Sequence, residues 1–66
     1  MSGDIYTWRV TVTTERDGAK DTTDRVIVAE AIVPAISAAE AKSLEADPGA
    51  TVYATRVSRL DLVTLA

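Results

Sequence analysis

The run Val26-Ile27-Val28-Ala29, continued after Glu30 by Ala31-Ile32-Val33, constrains the fold more than any other part of the chain. It reads as one strand with apolar side chains on both faces, because successive side chains of a strand point to opposite sides. Such a strand asks to be covered twice. A chain of 66 residues with a single helical segment can cover only one face of a sheet. The second apolar face calls for a partner, most simply another copy of the same chain.

Size sharpens that expectation. The length allows one domain, residues 1–66. A chain of about 60 residues buries roughly 60% of its unfolded surface and is marginal alone. Small folds are usually held by disulfides, a metal or oligomerisation. The sequence has no Cys and no His, so it lacks disulfides, thiolate ligands and the commonest metal ligand and general base. No D-x-D-x-D-G calcium run is present. Oligomerisation is left as the staple, and no cofactor is expected.

The first strand is the clearest local signal. Tyr6, Trp8, Val10 and Val12 alternate with Thr7, Arg9, Thr11 and Thr13 over residues 5–15, a period of two rich in aromatic and β-branched residues. Asp17-Gly18 supplies a hairpin turn. With a two-residue turn, Arg16 faces Ala19 and Trp8 faces Ile27. The second strand, residues 25–33, then turns Ile27, Ala29, Ala31 and Val33 to the core, and Val26, Val28, Glu30 and Ile32 outward. A slip of one residue would bury the Glu30 carboxylate.

Pro34 is expected to stop that strand. Ser37-Ala38-Ala39-Glu40 has the form of a capping box, with Ile36 and Ala41 as a hydrophobic staple. This predicts a helix over residues 38–46 with a thin apolar face of Ala38, Ala41 and Leu44, with Ala39 beside them, ended by Asp47-Pro48-Gly49. A third strand covers residues 51–63. Its apolar parity changes near Ser58-Arg59, where a β-bulge would restore one face. The expected fold is α+β: a ββαβ chain with a three-stranded, mostly antiparallel sheet and one helix on one face. Strand order 2-1-3 is favoured over a mixed 1-2-3 order.

The charge balance is mildly acidic, seven Lys plus Arg against ten Asp plus Glu. That opposes nucleic-acid binding, which rests on basic clusters meeting phosphates. No stretch approaches the eighteen apolar residues of a membrane span. Met1-Ser2-Gly3-Asp4 lacks the basic and apolar regions of a secretory signal, so a cytoplasmic location is expected. Usage leans to Ala, Thr, Val, Asp and Arg with two Lys and no Phe, as in translation from a GC-rich genome. In size and composition the chain resembles the small accessory proteins of phages that infect high-GC bacteria. No motif accompanies that resemblance.

Candidate sites follow from the inferred faces. Val26, Val28 and Ile32, with Leu60, Leu62 and Leu65 of the C-terminal segment, are the expected oligomer interface. Arg9, Tyr53, Arg56 and Arg59 are the expected partner or ligand contacts. Two guanidiniums beside Thr hydroxyls suit a phosphate or carboxylate, although solvated charges on a strand are the commoner use of such residues. Asp17, Asp21 and Asp24 read as a solvated turn, since a calcium loop needs more oxygens at tighter spacing. Glu30 reads as a cross-subunit ion pair or a guard against edge pairing. The glycines stand alone at positions 3, 18 and 49, so no phosphate loop exists.

The expected function is that of a non-enzymatic, homo-oligomeric binding module, acting on itself and on one host protein. The alternatives are a binder of a small anionic, nucleotide-like ligand at a subunit interface, and a minor structural or assembly protein.

Overall fold

The structure, a computed structural model, describes residues 4–63. Strand β1 (Tyr6–Arg16) turns at Asp17-Gly18 into β2 (Ala19–Ala29), helix α1 (Ile32–Ala46) follows, and β3 (Thr51–Leu62) closes the chain. The sheet order is β2-β1-β3, and both pairs are antiparallel. The ββαβ fold with the 2-1-3 order is thus observed.

The hairpin register follows from its turn. Asp17 and Gly18 both have positive φ, 53° and 81°, the pair of left-handed residues that matches strand twist in a two-residue loop. Arg16 therefore sits opposite Ala19, and the ladder runs unbroken to Tyr6 opposite Ala29, with Trp8 opposite Ile27. Even-numbered side chains of β1 enter the core. Trp8, Val10 and Val12 are buried with Ala35 and Ala39 of the helix, and Tyr6, Ile27, Ala29, Val52 and Val57 pack around them. Trp8 Nε1 donates to the Ala29 carbonyl at 2.9 Å, so the buried indole N–H is satisfied.

Three expectations about the middle of the chain are corrected. The second strand ends at Ala29, four residues early, and begins at Ala19 rather than Arg25. Ala31 is the extended residue before the helix, and Ile32 and Val33 belong to α1, so neither lies on the sheet. Pro34 is the third helical residue. The N–H it lacks is one that the first turn leaves without an intrahelical partner, and the Ala35 N–H makes the first bond, to the Ala31 carbonyl at 3.3 Å.

Ser37 is consequently inside the helix and exposed, not at its cap, and the N-cap residue makes no side-chain hydrogen bond. Glu40 instead accepts from Thr55 Oγ1 at 2.6 Å, tying the helix to β3. The buried stripe is Ala35, Ala39 and Ser43, spaced by four residues. Of the expected face, Ala39 is on this stripe, Ala38 is half-buried beside it, and Ala41 and Leu44 are exposed.

Strand β3 pairs with β1 from Thr51 to Leu62 with two register shifts. One lies between Arg59 and Leu62, just past the Ser58-Arg59 site expected for a bulge. The other adds Tyr53 as an extra residue between Val52 and Ala54.

Candidate functional site: the open face of the sheet

The helix covers one face of the sheet and leaves the other open. Partners in an antiparallel ladder share a face, so the register fixes what the open face carries. From β1 it takes Thr7, Arg9, Thr11, Thr13 and Glu15; from β2, Lys20, Thr22, Asp24, Val26 and Val28. Ala54, Arg56 and Ser58 join them from β3.

The face is polarised along its length. Near the hairpin turn it is polar: the Thr13 and Thr22 hydroxyls meet at 3.2 Å, and Lys20 Nζ lies 4.2 Å from the centre of the Tyr53 ring. In the middle, Thr11 Oγ1 donates to Asp24 Oδ1 at 2.5 Å. At the far end Val26 and Val28 are each 61% exposed. The residues just beyond are apolar too. Ile32 and Val33 open the helix immediately after β2, and Leu60 and Leu62 end β3 beside Thr7 and Tyr6; all four are exposed. Five of the six residues expected at an oligomer interface therefore fall at one end of the molecule. Ile32 reaches it from the helix rather than from a strand, and Leu65 lies outside the described residues.

The four expected contact residues are divided. Arg9 faces Ser58 and Arg56 faces Thr11, which makes the two arginines diagonal neighbours, roughly 7–8 Å apart. Both are exposed. Asp24 stands across Thr11 from Arg56, in the same row. Tyr53 lies at the bulge, under Lys20. Arg59 is opposite Trp8 on the helix side, its guanidinium 4.8 Å from the Tyr6 ring centre, a cation–π stack on a partly exposed ring.

The acidic candidates are placed as ordinary polar groups. Asp17 forms the turn, and Asp24 holds Thr11. Asp47, expected only as part of the helix end, pairs with Arg16 at 2.5 Å and fastens the end of the helix to the end of β1. No group of three or more metal-ligating side chains occurs among the described residues. No helix among them is long and apolar enough to cross a membrane. Compared with protein-family models, curated proteins and solved structures, the chain matches none.

Proposed function

We propose that this chain is a non-enzymatic binding module that works as a homo-oligomer, in the manner of a small phage accessory protein acting in the cytoplasm through protein–protein contact. The observation that carries this reading is the exposure of Val26, Val28, Ile32, Val33, Leu60 and Leu62 at one end of a very small fold. Single exposed apolar residues are ordinary, but six at the same end of so small a fold, on the open face of β2, the first turn of α1 and the end of β3, are more than scatter and suit association.

The test is solution mass by light scattering over a wide concentration range, on the wild type and on Val28→Asp. Val28 is mostly solvent-exposed in the single copy, so the substitution should leave the fold intact and shift the mass toward 7.0 kDa. An unchanged multiple of that mass would remove Val28 from the interface, and a wild-type monomer at every concentration would overturn self-association.

A second reading, binding of a small anionic ligand, is favoured by the diagonal pair Arg9 and Arg56 with the Thr11 and Ser58 hydroxyls between them. The Asp24 carboxylate in the same row weakens it, since an anion held there meets a like charge. A nucleotide that binds there would raise the melting temperature, by an amount that grows with the logarithm of its concentration above Kd.

A further inference from the structure

We propose that two copies join through their β2 edges, antiparallel about a twofold axis at Val26, to make one continuous six-stranded sheet. This builds on the self-association reading and specifies its surface and register.

The sheet has two outer edges, and they differ. β3 breaks register with β1 twice, and bulges of this kind discourage further pairing. β2 runs straight: no register shift, no Pro and no Gly occur between Ala19 and Ala29. Its edge groups belong to the even-numbered residues. Arg16 and Ala19 flank a two-residue turn and so form a hydrogen-bonded pair, after which bonded and non-bonded pairs alternate. The Asp21 carbonyl accepts from Thr14 Oγ1 and the Ala29 carbonyl from Trp8 Nε1, so odd-numbered residues face β1. Lys20, Thr22, Asp24, Val26 and Val28 are left to present backbone N–H and C=O outward.

Charge and burial select the register. A twofold axis normal to the sheet keeps both helices on one side and sets one residue against its own copy. An axis at Asp24 or Arg25 opposes like charges directly, and an axis at Ile27 opposes Asp24 to the partner's Glu30. An axis at Thr22 or Thr23 sets opposite charges face to face but leaves Val28 beyond the paired segment. An axis at Val28 opposes no like charges but pairs only Ile27 to Ala29 within the strand. An axis at Val26 also sets no like charges directly opposite, with Arg25 only diagonal to the partner's Arg25, and pairs a longer segment. Val26 then faces the partner's Val26, Ile27 the partner's Arg25, and Val28 the partner's Asp24. The four valines form one patch on the joint open face. The uncharged stretch Val26–Ala29 lies wholly within the pairing. Val26 and Val28, each 61% exposed in the single copy, are covered together with the outward backbone groups of β2.

The sequence has no cysteine, so Val26→Cys introduces a single thiol. A hydrogen-bonded antiparallel pair sets Cα atoms about 5.5 Å apart, within disulfide reach. Mild oxidation of folded V26C should give a covalent dimer, whereas Thr23→Cys and Ser58→Cys at the same concentration should stay unlinked. Val26→Pro should lower the solution mass to one copy with unchanged far-UV dichroism, because it removes an outward N–H and none of the bonds to β1. If V26P loses its fold, the cysteine series decides. A wild type that is monomeric throughout overturns self-association and this pairing with it. A dimeric wild type in which T23C links and V26C does not, or in which folded V26P stays dimeric, keeps self-association and overturns this register.

Discussion

Glu40 illustrates how one side chain can be claimed by two structures. The spacing Ser37-x-x-Glu40 matches a helix cap, yet Glu40 is about two turns inside the helix and accepts from Thr55 on β3. The two assignments make opposite demands on mutants. Ser37→Ala should change stability by no more than about 0.5 kcal/mol, because an exposed interior serine makes no cap. Glu40→Ala should cost about 1 kcal/mol, through the lost charge-assisted bond and the half-buried Thr55 hydroxyl left behind. Urea titration of both variants separates them, and equal losses of about 1 kcal/mol would restore the cap. Arg9 and Arg56 belong at this scale as well. Both are exposed, and neither makes an ion pair among the described residues. Arg9→Ala and Arg56→Ala should each stay within about 0.5 kcal/mol of wild type by the same titration. A loss of several kcal/mol in either would show a buried partner.

At the scale of elements, the strands were more legible than the helix. Trp8, Val10 and Val12 alternate with Arg9, Thr11 and Thr13, and that period of two has no helical counterpart, so β1 and its core face followed directly. Asp17-Gly18 left the hairpin register open between a two-residue turn and a slip of one; the first was favoured because the slip buries Glu30, and it is the register observed. The apolar run from Val26 to Val33 carries no such signature. A short continuous apolar run fits a buried strand or a helix equally well, and Pro34 resembles a terminator unless the first turn is already in place. Helix α1 starts six residues earlier than the capping pattern implies, which adds Ala35 to its buried stripe of Ala35, Ala39 and Ser43. Val26 and Val28 remain on the open face of β2 because the strand continues to Ala29. The common face of Arg9 and Arg56 was open only because strand order was open. Alanine at positions 35 and 39, both fully buried, lets the helix lie close on Val10 and Val12. Ala39→Leu should therefore cost about 1–3 kcal/mol by overpacking, read as a lower urea midpoint. A neutral result would mean that the helix stands further off the sheet.

The whole molecule is long for its length of chain. It measures 45 × 17 × 16 Å, with a radius of gyration of 13.2 Å, against roughly 11 Å for a compact domain of this size. An extended shape exposes more surface per residue, and its core contains two fully buried large side chains, Val10 and Val12. A fold of this kind gains much from any partner that binds only the folded form. If that partner is a second copy, the thermal midpoint should rise with protein concentration by mass action. Calorimetry over a hundredfold range of concentration checks this, and a constant midpoint would place all of the stability within one chain.

Trp8 is the sole tryptophan of the chain, and it sits opposite Ile27 of one neighbouring strand and Arg59 of the other, with its ring nitrogen on Ala29. One natural fluorophore thus spans both seams of the sheet. Its emission should redden when either seam parts, which makes this residue an internal gauge for following the zippering of the sheet in real time without an added label.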